Sequence, residues 1–363
     1  MKSVRVWWAV AAGIAVVVAA AVATVILRPD PAGPAASAPA ASPSAPAVSP
    51  APSPPAASPP AASPPAVSPP AVSPPAPAPS GTVRDVRSEN AGGRSRDLTF
   101  HSPALGRTAK ARILLPRGWK PGSGPWPVLY LLHGCCGPDH LGWVEYGGAE
   151  RLTAGAPVIV VIPEGGPAGF YSDWLRGPRW ETFHMTELLG VVEKEYGAGD
   201  RRAIAGLSMG GFGAMSYAAR HPGAFQAAAS FSGVLDPEAG PQGVMGIVRS
   251  HGFDPGDLWG VPGGAEDVWA AHNPRRLASA LKGVWLYVSC GNGDPGPLDG
   301  PGATGDGGEQ FLLAEARSFV KRVREAGLSV ETDFYGDGTH SWPYWERALE
   351  RALPGLLEAI GVR

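Results

Sequence analysis

Cysteine is nearly missing from this chain: Cys135, Cys136 and Cys290 are all there is in 363 residues. The number is odd and two of the three are neighbours, so no disulfide framework can be read from them and the fold must rest on its own apolar core. No Cys-x-x-Cys and no His-Glu-x-x-His occurs. Those are the spacings of structural zinc and zincin sites, so no metal and no cofactor is expected. An excess of either charge is missing too, with 30 Lys and Arg against 32 Asp and Glu for a net charge of −2. Such a balance provides neither a nucleic-acid surface nor an acidic tail.

What is abundant is unevenly spread. Lys2 and Arg5 precede an uncharged run from Trp7 to Leu27, long enough to cross ~30 Å of hydrocarbon as a helix. It continues past the small-residue site Ala21-Val22-Ala23, which favours an uncleaved membrane anchor in residues 1–28 over a removed signal peptide. The positive charges place its N-terminus in the cytoplasm and the rest of the chain outside. Pro29 to Ser80 is almost wholly Pro, Ala, Ser and Val. Such a tract cannot build a core, and as polyproline II its 52 residues would reach roughly 160 Å. Residues 81–363 carry no second low-complexity break and suit one large α/β domain.

Within that domain, short apolar runs bounded by Gly and Pro alternate with segments of helical spacing. The pattern predicts a mostly parallel central sheet with helices on both faces. Expected strands are PVLYLL from Pro127, PVIVVI from Pro157, AIA before Gly206, AAASFS from Ala227 and VWLYVS from Val284. Expected amphipathic helices are WETFHMTELLGVVEKEY from Trp180 and EARSFVKRVREAG from Glu315.

Between a short strand and a helical segment stands Ser208, flanked by Gly206 and Gly210. With 50 glycines in the chain, chance alone yields roughly half an instance of Gly-x-Ser-x-Gly. The strand and helix around it are what make Ser208 a candidate nucleophile, lifted above the sheet edge on a tight turn. In such a fold the partners follow as acid and then histidine. His221 stands at a helix end, and His251 and His272 fall in loop-rich sequence. His340 follows the strand-like VETDFY and a GDG turn and precedes a last helix, WERALERALPGLLEAI, where a general base should emerge. Two carboxylates compete to orient it, Asp294 after VWLYVSCGNG and Glu309 beyond a glycine-rich loop, and spacing alone leaves both open. GNGDPG at 291–296 also fits Gly-x-Gly-x-x-Gly, but Pro295 opposes the helix that would cradle a pyrophosphate.

Several separated blocks resemble the antigen 85-type mycolyltransferases and their esterase relatives: GFYSDW at 169–174, WETF at 180–183, GLSMGG at 206–211, DLWG at 257–260, HNP at 272–274, YVSCGNG at 287–293 and GTHSWPYW at 338–345. The resemblance covers roughly 97–360 and implies an α/β-hydrolase fold. It implies a serine esterase or acyltransferase with Ser208, Glu309 and His340 as catalytic residues, since Glu309 stands ten residues before Phe319, as the acid does in that family. It implies an oxyanion hole from the backbone N–H groups of Met209 and Cys135, such donors typically being worth ~3–4 kcal/mol each. The partners it implies are an acyl ester and a lipid or glycolipid of the cell envelope, reached from a membrane-tethered domain.

One departure bears on the acceptor. Relatives that acylate trehalose resemble one another in an Asp-Gly-Leu-Arg sequence where this chain has His133-Gly134-Cys135-Cys136, so esterase activity with little transfer to trehalose is expected. A trehalose or diacylglycerol acyltransferase is the alternative, and a non-catalytic envelope-binding relative a more distant one. Trp342 and Trp345 could serve as a platform for a sugar or glyceryl ester or as packing for the last helix, and Cys290 is expected beneath the loop carrying the acid.

Overall fold

Segments that are apolar at nearly every position can be extended only if both of their faces are covered. The computed structural model, which describes residues 81–137 and 139–362, covers them. The expected anchor at 7–27 and tract at 29–80 lie outside the described residues, and among the described residues no helix is long and apolar enough to cross a membrane.

The strands are β1 (Arg84–Asn90), β2 (Ser95–Ser102), β3 (Arg107–Leu114), β4 (Trp126–Leu132), β5 (Ile159–Pro163), β6 (Ala198–Leu207), β7 (Ala227–Phe231), β8 (Trp285–Cys290) and β9 (Glu331–Phe334). They form one sheet in the order β1-β2-β3-β5-β4-β6-β7-β8-β9. From β5 to β9 all neighbours are parallel, while β1, β2 and β3 make an antiparallel flank joined to β5. The sequence reading did not include that flank. β1 is exposed at almost every residue and so carries no burial pattern to detect.

Five helices matter for the site: α1 (Leu189–Tyr196), α2 (Met209–Arg220), α3 (Pro241–Ser250), α4 (Gly307–Glu325) and α5 (Trp342–Ala359). Alternate residues of the central strands go to opposite sides. Tyr130, Leu132, Ile204, Ala228 and Val288 join Phe212, Met215, Phe319 and Val320 of α2 and α4. Leu129, Leu131, Ala205, Ala229 and Tyr287 join Trp345, Leu349, Leu353 and Leu356 of α5. The fold is therefore an α/β-hydrolase-like sheet with helices on both faces. The segment expected as one helix from Trp180 is instead a turn of helix at Trp180–Thr182, a π-helical turn at Phe183–Leu188 and then α1.

Register fixes where chemistry can gather. Leu132 pairs with Gly206, Leu207 with Phe231, Phe231 with Ser289, and Cys290 with Phe334. The carboxyl ends of β4, β6, β7, β8 and β9 therefore reach one edge together, the edge where open α/β sheets bind ligands. The residues that follow those ends are His133, Ser208, Ser232, Gly291 and Tyr335.

Candidate active site

Ser208 joins β6 to α2 with φ 52° and ψ −121°, a left-handed backbone that a non-glycine residue adopts at a cost of roughly 1–3 kcal/mol. Its N–H donates to the Phe231 carbonyl at 2.9 Å. The flanking glycines are required by contact. A Cβ on Gly206 would lie 2.2 Å from the Gly210 carbonyl oxygen, and one on Gly210 would lie 2.4 Å from that of Leu132. The serine motif is thus a place where strand and helix cross at backbone distance, as its sequence context predicted.

On the neighbouring loops the structure brings Glu309 and His340 together. Glu309, on the first turn of α4, has no exposed surface. Its Oε1 accepts hydrogen bonds from Ser232 Oγ at 2.7 Å, Gly291 N at 2.8 Å and the Cys290 thiol at 3.2 Å. Its Oε2 lies 2.7 Å from His340 Nδ1, a pairing that places the ring proton on Nδ1 and leaves Nε2 as the basic nitrogen. Burial disfavours the imidazolium, but the hydrogen bond and charge of Glu309, with a further contribution from Asp306, outweigh it and raise the His340 pKa above the ordinary histidine value. The indole of Trp345 stands edge-on to the imidazole at 4.8 Å between ring centroids and donates to Ser232 Oγ at 3.3 Å.

Asp294, the rival acid, is exposed. Its N–H is taken up by Asn292 Oδ1, so Glu309 is the carboxylate on the histidine. Ser208 reaches the same cluster through the chain: Phe231 accepts its N–H, and Ser232, the next residue, holds Glu309. No hydrogen bond joins Ser208 to His340 in this structure.

The loop after β4 lies against the serine, since a Cβ on Gly134 would come 3.1 Å from Ser208 Cβ. The amide N–H groups of Cys135 and Met209 are not taken up by any other described residue, while that of Cys136 donates to the Pro167 carbonyl. The adjacent cysteines, which offered no readable framework in sequence, are bonded to each other, with Cys136 at φ 66°. His133 is buried with Nδ1 at 2.6 Å from the Gly134 carbonyl, and burial lowers its pKa. It is a neutral core residue.

The remaining residues singled out in sequence sort by contact. His221 Nε2 meets Glu181 at 2.8 Å, so it is engaged by a carboxylate in addition to standing at the end of α2. His251 and His272 bond backbone carbonyls of their own helices. Cys290 lies beneath the loop carrying Glu309, as expected, and burial together with the Glu309 charge raises its thiol pKa well above the usual value. Trp345 is buried packing, whereas Trp342 is half-buried between Trp143 and Tyr146. Sequence reasoning missed Ser232 and Asp306. Ser232 had no signal beyond following a strand end, but Asp306, three residues before Glu309 at the start of a helix, had the signature of an N-cap.

Known proteins resemble the chain over much of its length. The Esterase family model, described as "Putative esterase", matches residues 102–356. Esterase Rv1288 of Mycobacterium tuberculosis is 34% identical over 244 residues, a match covering 64% of this chain and 53% of the relative, so the chain spans about half of that relative's length. Diacylglycerol acyltransferase/mycolyltransferase Ag85B of Mycolicibacterium smegmatis is 30% identical over 284 residues, covering 73% of this chain and 85% of that protein. The crystal structure of Mycobacterium tuberculosis MPT51 (FbpC1) superposes with a TM-score of 0.62 at 30% identity, covering 74% of this chain and all of the other.

Proposed function

Since the chain belongs to the antigen 85-type esterase and mycolyltransferase family, we propose that it is an exported serine esterase/acyltransferase working through an acyl-enzyme on Ser208. The observation that carries the reading is the 2.7 Å pairing of buried Glu309 with His340 at the sheet edge that also bears Ser208. In the first half-reaction His340 Nε2 takes the Ser208 proton as Oγ attacks the ester carbonyl. The Met209 and Cys135 amides receive the developing oxyanion. The intermediate collapses to acyl-Ser208, and His340 gives its proton to the departing alkoxide. Water or an acceptor alcohol then repeats the sequence in reverse, with its proton passing to His340. The Ser208 to His340 contact closes when substrate is bound, as such contacts commonly do.

The natural acyl donor in this reading is a lipid or glycolipid ester of the cell envelope. Residues 7–27 tether the domain to the membrane, and residues 29–80 carry it outward. Transfer to an alcohol needs a groove that outcompetes ~55 M water, and the half-buried Trp342 beside Tyr146 supplies a flat face for one. The polar half of a trehalose site is weak here, because His133 is locked into the core and Cys136 is tied to Cys135. The test incubates the chain with a medium-chain acyl ester, with and without trehalose, beside Ser208→Ala. Free acid is expected from the parent, little acyl-trehalose, and no turnover by a Ser208→Ala variant with an unchanged circular dichroism spectrum. Full activity of that folded variant refutes the nucleophile, and acyl-trehalose as the main product refutes the reading of the 133–136 loop.

A further inference from the structure

Two loops that are far apart in sequence, 291–306 between β8 and α4 and 335–341 between β9 and α5, are sewn together behind His340. Gly293 N–H donates to the Gly338 carbonyl at 3.1 Å, Gly338 N–H to the Asp294 carbonyl at 2.7 Å, and Asp306 N–H to the Gly293 carbonyl at 2.7 Å. The seams are backbone to backbone. A Cβ on Gly291 would lie 2.3 Å from the Gly338 carbonyl oxygen, and one on Gly293 would lie 2.3 Å from that of Asp306. The Gly-x-Gly of this stretch therefore serves loop crossing.

A single carboxylate sits at the junction. Asp306 Oδ1 caps α4, accepting from Gly308 N at 2.9 Å and Glu309 N at 3.1 Å. Its Oδ2 accepts from the backbone N–H of His340 at 3.1 Å. One oxygen thus holds the backbone of the acid and the other that of the base. We propose, on the assignment of Glu309 and His340 made above, that Asp306 is a positioning residue that keeps those two side chains in register for proton transfer. Helix capping alone would require only Oδ1, and the second oxygen is spent on the histidine.

Asp306 is also a charge facing His340. Glu309 on α4 and the uncharged Trp345 on α5 also face the imidazole, and around Glu309 stand Ser232 after β7, the Cys290 thiol at the end of β8 and the phenol of Tyr335 after β9. Burial keeps the last two in their neutral forms. Loss of the Asp306 charge therefore moves the His340 titration downward, which a purely structural cap would not do.

The experiment measures kcat, KM and pH profiles of the full chain on a short p-nitrophenyl ester for Asp306→Asn, Asp306→Ser and Glu309→Gln, with a thermal melt of each. Serine is a good cap but too short to reach His340 as well. Asp306→Ser is expected to melt near the parent yet lose at least about tenfold in kcat with KM little changed, as misplacement of reacting groups does. Asp306→Asn is expected to shift the acidic limb of the profile to lower pH. A well-folded Asp306→Ser with parental kcat, or an Asp306→Asn with an unmoved acidic limb, overturns the proposal. Full activity in Glu309→Gln would instead overturn the acid assignment beneath it, so the two failures are distinguishable.

Discussion

A carboxyl group with no exposed surface must have its lone pairs met by donors, and Glu309 has Ser232, Gly291, Cys290 and His340 for that. Glu309→Gln would present an amide N–H₂ to at least one of these donors and disfavour the Nδ1–H tautomer of His340. A loss of at least about 10²-fold in kcat is expected, since comparable loss of an orienting carboxylate is typically worth ~10⁴. Exposed Asp294→Asn should change little. Steady-state kinetics of both variants decide the point, and a reversed ranking would return the acid to Asp294. Ser208 and His340 were legible because each is announced by its immediate neighbours, a strand before and a helix after. The carboxylate that meets His340 was not, because its place depends on how a long glycine-rich loop returns α4 to the sheet edge. Resemblance to a family favoured Glu309 where spacing had left two candidates.

The elements most readable in sequence were those buried on both faces. β4 and β5 are continuous apolar runs, and β7 is broken only by the buried Ser230, whereas β9 shows no buried residue and β1 shows none either. The π-helical turn at Phe183–Leu188 was illegible because its spacing of apolar residues passes for an ordinary helix. At the Ser208 turn the element-level constraint is backbone contact between β4, β6 and α2. Gly210→Ala would drive a methyl group to within 2.4 Å of the Leu132 carbonyl and 2.6 Å of that of His133, on the loop that carries Cys135. Overpacking of this kind costs typically ~1–3 kcal/mol, and here it also displaces a proposed oxyanion donor. Gly155→Ala, with open space around its Cβ, should stay within about 0.5 kcal/mol of the parent. Thermal melts with matched ester kinetics should show the first variant impaired in both and the second in neither. An unimpaired Gly210→Ala would contradict the close crossing.

Over the whole molecule, the groups that set acid and alkaline limits lie away from the chemistry. His184, held between the Tyr217 hydroxyl and the Glu164 carbonyl, and His272, stacked on Trp259, are both pushed down to about 4, chiefly by burial. Their unfolded forms take up protons near 6.5, so folding stability falls as pH drops from 6.5 toward 4. Glu315 behaves oppositely. Its Oε2 accepts the Asp236 N–H at 3.2 Å, yet burial, with the Asp236 charge adding to it, raises it to about 8. The unfolded carboxyl ionises near 4.5, so the stability of the neutral buried form is lost as pH rises from there to 8 and can amount to a few kcal/mol on full development. Glu315→Gln keeps an acceptor for Asp236 N–H and removes the titration. It is expected to melt close to the parent at pH 5 and several degrees above it at pH 8, since roughly 1 kcal/mol moves a domain of this size by about 2–4 °C. Differential scanning calorimetry across that range gives the answer: a stability difference between variant and parent that does not grow with pH would mean that Glu315 is ionised in the fold.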